Sequence, residues 1–319
     1  MTRNPGCLCH GRIIRFKHMR IVSLLPSATE ILFHLGLGDQ VVGVTHECDY
    51  PEAVRSLPVL TACNFDSEQM TQAQIDEQVR GLATEEKSLY RIDDDLLRLI
   101  DPDLIVTQDL CHVCAVTPKE VDRAVAILKN KPGIISLNPK FLDDVFSDMQ
   151  MIAEATGVDA REILGKLHAR VRRIAPAAVL AQRPTVGCIE WLEPLWRTGH
   201  WVPGMVDLAG GREVLAQAGK PSRPVSGEEL EEKNPDVLII MPCGYNLSRA
   251  REEFLRVRNA YPWDSLSACQ NHSVYVVDAN SYFSRSGPRL VDGLEMLAEM
   301  LHPEYFSGLA PLHSYIRID

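Results

Sequence analysis

The chain has 319 residues, of which 43 are acidic and 33 are lysine or arginine, giving a formal net charge of −10. Hydrophobic residues make up 45% of it, which is typical of a globular protein, and its length suits two lobes of ordinary domain size. The acidic balance, without a basic cluster beyond the first 20 residues, argues against non-specific nucleic-acid binding. No segment approaches the roughly 18 apolar residues that a membrane-embedded helix needs.

Residues 1–18 contain four basic side chains but no apolar run long enough for a secretory signal. We predict that they form a disordered extension or reflect a mis-set start, with Met19 as an alternative initiator. Nine cysteines, an odd number at irregular spacings, do not suggest a disulfide framework. Reduced thiols are the expectation, and together these features predict a cytoplasmic protein.

The first predicted strand covers residues 20–25 and turns at Pro26. Ser27 and Glu30 have the S-x-x-E spacing of a capping box, which predicts a helix start, and Gly36 ends that helix. The other elements predicted in this lobe are strands at 41–45, 104–108 and 134–137 and helices near 92–100 and 118–128. The strands are expected to form a mostly parallel sheet that the helices cover.

Residues 141–182 have helical periodicity almost throughout, with a break at Gly157, and predict a stiff spine between two lobes. The elements predicted beyond it are strands at 185–190, 237–241 and 274–278 and helices at 204–209 and 290–301. The predicted division is an extension at 1–18, an amino-terminal lobe at 19–140, the spine at 141–182 and a carboxy-terminal lobe at 183–319. The fold class is α/β, with two Rossmann-like lobes of mostly parallel sheet joined by one long backbone helix.

Two segments, 101–108 and 234–241, resemble each other. Each has the pattern of a helix end, a Pro-Asp corner and a buried strand, so the same strand–helix plan occurs twice. Two similar α/β lobes usually hold a ligand in the cleft between them, and the duplication therefore predicts a ligand-binding cleft.

Several short motifs over about residues 19–302 resemble the class III, helical-backbone substrate-binding proteins, and specifically the vitamin B12-binding proteins of ABC importers. The matching segments are 23–30 (SLLPSATE), 43–45 (GVT), 49–51 (DYP), 102–105 (PDLI), 198–199 (TG), 209–211 (AGG) and 282–289 (YFSRSGPR). The resemblance implies a corrinoid or related metal–tetrapyrrole bound in the cleft, at the carboxyl ends of the strands. It also implies ABC importer membrane subunits as partners, although the exposed carboxylates that dock those subunits in the family cannot be placed in this sequence.

Carried over residue by residue, the family's aromatic corrin-contacting positions fall on Tyr50, Trp196, Tyr282 and Phe283. In the same way, Arg285 is the partner for a propionamide side chain or an anionic group. Binding is expected to involve only a small closure, because a single connecting helix resists bending.

This chain also has polar residues after its predicted strands that the exported B12 binders lack. They are Glu47-Cys48, Cys111-His112-Val113-Cys114, Glu190-Trp191, His200-Trp201 and Pro242-Cys243-Gly244. Cysteine and histidine bind soft or borderline metals, so Cys48, Cys111, Cys114 and Cys243 form a candidate metal site, with His200 as a further ligand or as an axial ligand to a corrinoid cobalt. The competing interpretation is that a lone C-x-x-C only fills space in the core.

Trp191, Trp196 and Trp201 lie within one short stretch, which predicts a flat, π-rich ligand, with one of the three in the core. Glu190 is expected either to pair with Arg285 or to contact ligand. The full predicted ligand-binding set is Tyr50, Glu190, Trp191, Trp196, His200, Trp201, Tyr282, Phe283 and Arg285.

The sequence therefore predicts a non-enzymatic protein that binds a small-molecule ligand, a corrinoid or related metal–tetrapyrrole. The first alternative is a cytoplasmic metal-ion carrier or sensor that uses the Cys and His ligands. The second is a chelatase-like enzyme on a related bilobal fold. The chain contains no phosphate loop, nucleophile elbow or H-E-x-x-H motif that would favour an enzyme.

Overall fold

The computed structural model describes residues 19–67, 69–84, 88–109, 116–179 and 182–318. Its helices are α1 (Pro26–His34), α2 (Gln72–Thr84), α3 (Asp94–Ile100), α4 (Pro118–Ala126), α5 (Leu142–Thr156), α6 (Arg161–Ile174), α7 (Val202–Leu208), α8 (Gly227–Lys233), α9 (Leu247–Arg256), α10 (Ser267–Gln270), α11 (Ala279–Tyr282), α12 (Leu290–Leu301) and α13 (Pro303–Phe306). Its strands are β1 (Ile21–Ser23), β2 (Val41–Gly43), β3 (Thr61–Cys63), β4 (Tyr90–Ile92), β5 (Leu104–Gln108), β6 (Gly133–Leu137), β7 (Thr185–Leu192), β8 (Leu195–Arg197), β9 (Arg212–Glu213), β10 (Arg223–Pro224), β11 (Val237–Ile240), β12 (Val274–Val277) and β13 (Tyr315–Ile318).

The amino-terminal lobe contains a wholly parallel sheet in the order β2-β1-β5-β6. Its two central strands, β1 and β5, are buried along their whole length, as expected when helices cover both faces of a parallel sheet. β3 and β4 form a separate antiparallel pair, which the sequence did not predict.

The carboxy-terminal lobe has three parallel strands, β7, β11 and β12, at the centre of its sheet. Antiparallel strands flank them, with β8 and β10 beyond β7 and β13 beyond β12. The predicted architecture of two α/β lobes with mostly parallel sheets is confirmed. None of the described helices combines the length and apolar character needed to cross a lipid bilayer.

The spine consists of two helices that meet where the sequence breaks. α5 ends at Gly157, which adopts a left-handed conformation with φ 73°, a geometry that suits glycine at a helix end. α6 starts after Asp159, whose carboxylate accepts the backbone N–H of Arg161 at 3.1 Å. Arg170 and Arg173 on α6 each bond Glu295 of α12 at 2.6 Å, so the second half of the spine is braced against the carboxy-terminal lobe.

One hydrophobic cluster runs through both lobes beside the spine. It includes Ile31 of α1, Met149 of α5, Met205 of α7 and Leu294 of α12, all fully buried. The opposite face of each sheet has its own smaller cluster. Because the largest cluster is continuous, the two lobes and the spine pack as one body on this side.

The two similar segments perform the same structural task in each lobe. Asp101 and Asn234, at the ends of α3 and α8, both adopt left-handed backbone conformations. Two residues later, the Asp103 carboxylate accepts the N–H of Arg20, and the Asp236 carboxylate accepts the N–H of Thr185, both at 2.8 Å. Each aspartate thus ties the corner after a helix to the start of its lobe's first strand.

Candidate ligand-binding cleft

Charged and polar side chains from both lobes meet where the strands end, and we call this contact the inner bridge. It consists of Glu30 and Asp49 from the amino-terminal lobe and Asn280, Arg285 and Arg289 from the other. The Glu30 carboxylate, with its side chain 1% exposed, accepts from Arg285 at 3.2 Å and from Arg289 at 2.6 and 2.9 Å. The carboxyl-end loops of the two lobes are therefore in direct contact.

Arg285 uses both of its terminal nitrogens in the inner bridge. Nη1 donates to Glu30 and to Asp49, and Nη2 donates to the Glu47 carbonyl at 3.1 Å and to the Asn280 side chain at 3.0 Å. Burial alone would raise the pKa of the Asp49 carboxyl, but the hydrogen bond and charge of Arg285 hold that pKa below its usual value. Both partners are therefore charged at neutral pH.

The capping box predicted from Ser27 and Glu30 is wrong. α1 begins after Leu25 without a side-chain cap, and Glu30 lies in the inner bridge instead. A buried carboxylate bonded by two guanidinium groups is held more strongly than one bonded to a single backbone N–H. The S-x-x-E spacing cannot reveal this, because the arginines come from a distant part of the chain.

A second contact between the lobes, which we call the outer bridge, involves the start of α2. The backbone N–H of Gln72 donates to the Glu253 carboxylate at 3.0 Å. The side-chain oxygen of Gln72 accepts the backbone N–H of Leu192 at 2.5 Å. Arg249 donates to the carbonyls of Ser67 and Met70 at 2.9 and 3.2 Å. No sequence motif indicated this contact, since it depends on backbone groups of a loop.

Two of the predicted aromatic contacts lie beside the inner bridge. The guanidinium of Arg289 lies 4.2 Å from the centre of the Tyr50 ring and 5.8 Å from that of Tyr282. Tyr50 is 48% exposed. One predicted ligand-contacting ring from each lobe is thus present at the edge where the lobes meet.

Trp191 and Trp196 are paired across the β7–β8 hairpin and are partly buried. The Trp191 ring meets Tyr245 edge-on, with 5.9 Å between centroids. The preceding residue, Glu190, accepts the backbone N–H of Cys243 at 3.0 Å through its carbonyl. Hydrogen bonding thus joins the end of β7 to the loop after β11.

Trp201 and Phe283, also predicted to contact ligand, pack in the large hydrophobic cluster. They are 7% and 3% exposed, and the Trp201 indole N–H donates to the Phe283 carbonyl at 2.9 Å. Trp201 matches the expectation that one of the three tryptophans lies in the core. His200, next to it, has its pKa lowered by burial and by the charge of Lys140, so its imidazole is neutral at pH 7.

Gly199 allows the loop that carries His200 to pack against a neighbouring loop. A β-carbon on Gly199 would lie 2.4 Å from the Ser222 nitrogen and 2.6 Å from the Lys220 oxygen, both backbone atoms. We expect Gly199→Ala to lower the free energy of unfolding by about 1–3 kcal/mol, measured by urea denaturation. Gly165→Ala is the matched control, because a β-carbon there meets nothing within 4 Å; it should raise stability by about 0.5–1 kcal/mol. A neutral Gly199→Ala would contradict the predicted clash.

The predicted metal ligands divide between described and undescribed parts of the chain. Cys111 and Cys114 lie outside the described residues. The Cys48 sulfur is 3.1 Å from the Thr29 hydroxyl and 3.3 Å from that of Thr45, and burial raises the pKa of its thiol. Within the described ranges, no group of three or more His, Cys, Asp or Glu side chains is arranged to hold a metal ion.

A small cavity of about 10 Å³ lies beside the ends of β1 and β2. His46 and Thr61 line it, with the His46 Nδ1 2.8 Å from the Thr61 hydroxyl, and the Tyr90 ring is 5.6 Å from that of His46. Burial lowers the pKa of His46. The antiparallel β3–β4 pair supplies both of these neighbours and was not predicted from the sequence.

Two α/β lobes with a helical spine, and with aromatic and charged side chains at the strand ends, are the architecture of the bilobal ligand-binding proteins. The periplasmic binding protein family profile matches residues 21–281, and the chain belongs to this family.

The chain is similar to proteins whose names refer to transport or ligand binding. The chain is 25% identical over 293 residues to the uncharacterized ABC transporter substrate-binding lipoprotein YvrC of Bacillus subtilis, covering 92% of this chain and 83% of that one. It is 24% identical over 302 residues to the vitamin B12-binding protein of Vibrio cholerae, covering 90% of each. The crystal structure of the periplasmic heme-binding protein RhuT of Roseiflexus sp. RS-1 has the same fold, with a TM-score of 0.65, 22% identity and coverage of 90% of this chain and 99% of that one.

Proposed function

We propose that this protein binds a corrinoid, or a related metal–tetrapyrrole, between its two lobes. The observation that carries the proposal is the placement of Tyr50 and Tyr282, one from each lobe, with their ring centres 4.2 and 5.8 Å from the Arg289 guanidinium where the lobes meet. Aromatic faces contact flat ring systems over a large area. Membership of the family and similarity to a vitamin B12-binding protein support the same conclusion.

Corrinoid binding is preferred to the metal-carrier alternative because of the contacts of the cysteines. Cys48 is surrounded by threonine hydroxyls, and the Cys243 N–H bonds the Glu190 carbonyl within the carboxy-terminal lobe. His200 has its backbone N–H bonded to the Lys220 carbonyl, and its ring lies beside Trp201. The contacts of the Cys48 sulfur favour a packing role for that residue, whereas the backbone bonds of Cys243 and His200 fix the path of their loops.

The test is a titration of purified, reduced protein with hydroxocobalamin, followed by tryptophan fluorescence and corrin absorbance. We expect saturable quenching at micromolar protein, because Trp191 lies partly exposed in the hairpin that forms the outer bridge. A shift of the corrin absorbance bands would indicate, in addition, that a side chain of the protein is an axial ligand of the cobalt. No quenching and no band shift would overturn the proposal.

The importer partner and the cytoplasmic location stay predictions. The similarity to an ABC transporter substrate-binding lipoprotein favours a role with an importer. The five described cysteines are free thiols.

A further inference from the structure

The arginines beside the cleft are already neutralised by carboxylates of the protein. Arg285 is 8% exposed and makes four hydrogen bonds, two of them to Glu30 and Asp49. Arg289 makes two hydrogen bonds to Glu30 and stacks its guanidinium plane on Tyr50. Two positive and two negative side chains therefore cancel within the inner bridge.

The group next to the inner bridge adds negative charge. Glu47 supplies this charge, with a side chain that is 56% exposed. Asp49, already counted in the inner bridge, keeps 43% of its side chain exposed. His46, 3.4 Å from Glu47, has a lowered pKa and supplies no positive charge at neutral pH. A ligand that reaches this edge thus meets partly exposed carboxylates, whereas the charge of Arg285 is covered.

This pattern distinguishes amide from carboxylate side chains on a ligand. An amide N–H donates to an exposed carboxylate such as Asp49 or Glu47, but an ionised carboxylate has no hydrogen to donate. To bind Arg285, a ligand carboxylate must displace Asp49 from its ion pair with the buried guanidinium, and it then lies beside the displaced charge. Placing like charges together at an interface is unfavourable and commonly decides specificity.

We propose that the cleft selects tetrapyrroles whose peripheral side chains are neutral amides and rejects those with ionised carboxylates, with Glu30 and Asp49 as the residues that set this preference. The proposal rests on the proposed tetrapyrrole binding. The arginines hold the carboxylates in place, and the exposed edge of Asp49 is the group that contacts the side chains of the ligand.

The experiment compares two corrinoids with the same ring, metal and axial ligands. Cobinamide carries side-chain amides, and cobyrinic acid carries carboxylic acids at the corresponding positions. At pH 7.5 and low salt we expect cobyrinic acid to bind at least about tenfold more weakly, as measured by tryptophan quenching. Higher salt should reduce the difference, because it screens exposed charges.

Asp49→Asn tests the assignment to residues. It should reduce the preference for cobinamide several-fold, since Arg285 then has Glu30 as its one remaining carboxylate partner in the inner bridge and its charge is less completely neutralised. Glu52→Gln is the matched control: it removes one negative charge three residues away, from a side chain that is 85% exposed and paired with Arg55, and should leave the preference unchanged. Urea denaturation of both variants establishes that they are folded.

The outcomes separate this proposal from the proposed function. Equal or tighter binding of cobyrinic acid would overturn the preference while tetrapyrrole binding stands. A preference that Asp49→Asn does not change would overturn the role of Asp49. Failure of both corrinoids to bind would overturn the proposed function and this preference with it.

Discussion

Replacing Glu30 with alanine should lower the free energy of unfolding by about 3–5 kcal/mol, a magnitude typical of breaking a buried ion pair. The Glu30 side chain is 1% exposed and accepts three hydrogen bonds from Arg285 and Arg289. Its removal leaves two largely buried guanidinium groups with fewer partners. Urea denaturation followed by circular dichroism measures the change.

Glu52→Ala is the control for the Glu30 variant. Glu52 also pairs with an arginine, Arg55, but both side chains are more than half exposed. Exposed pairs of this kind contribute about 0–1 kcal/mol. If the two variants lost similar, small amounts of stability, the inner bridge would not be holding the lobes together.

The buried carboxyl of Glu213 should contribute to the free energy of unfolding at acidic pH, and this contribution should be lost as the pH rises through 7. Burial raises its pKa from 4.5 to about 7 in the folded protein. The folded state therefore binds a proton more tightly than the unfolded state. This stabilisation is fully present below pH 4.5 and is lost as the pH passes 7, and amounts to about 3 kcal/mol.

Glu213→Gln isolates this contribution. The Glu213 Oε1 accepts the N–H of Leu215 at 2.8 Å, and a glutamine oxygen can keep that bond. Asp148, whose pKa burial also raises to about 7, is unchanged in the variant. The difference in stability, wild type minus variant, should fall by about 3 kcal/mol between pH 4.5 and 8 in urea denaturation. A difference that is constant with pH would show that Glu213 is ionised throughout.

Most of the central framework could be predicted because its strands and helices have strong local patterns. β5 and α12 agree with the predicted bounds, and the spine breaks at Gly157 as predicted. β8 and β13 were missed because both pair antiparallel at the margins of the sheet. Such short marginal strands have weak sequence signals, and their partners decide whether they form.

The candidate cleft could be predicted only in part, because its main contacts join distant residues. The sequence placed Tyr50 and Arg285 at the edge between the lobes, and the structure brings both to the inner bridge. Glu30 was assigned to a local cap, although its partners lie more than 250 residues away. Local spacing describes what a carboxylate can do within its own helix but carries no information about an arginine from the other lobe.

The two aspartates that tie each lobe's first strand have a consequence for how the protein can diverge. Asp103 and Asp236 both act at the amino ends of their sheets, whereas the bridges and the exposed aromatic rings lie at the carboxyl ends. When the strands of a lobe are fixed at the amino end of the sheet, the loops at the carboxyl end can change without altering the register of the strands. In this chain the features that the two lobes share lie on the side away from the bridges, and their differences lie on the side that carries the bridges.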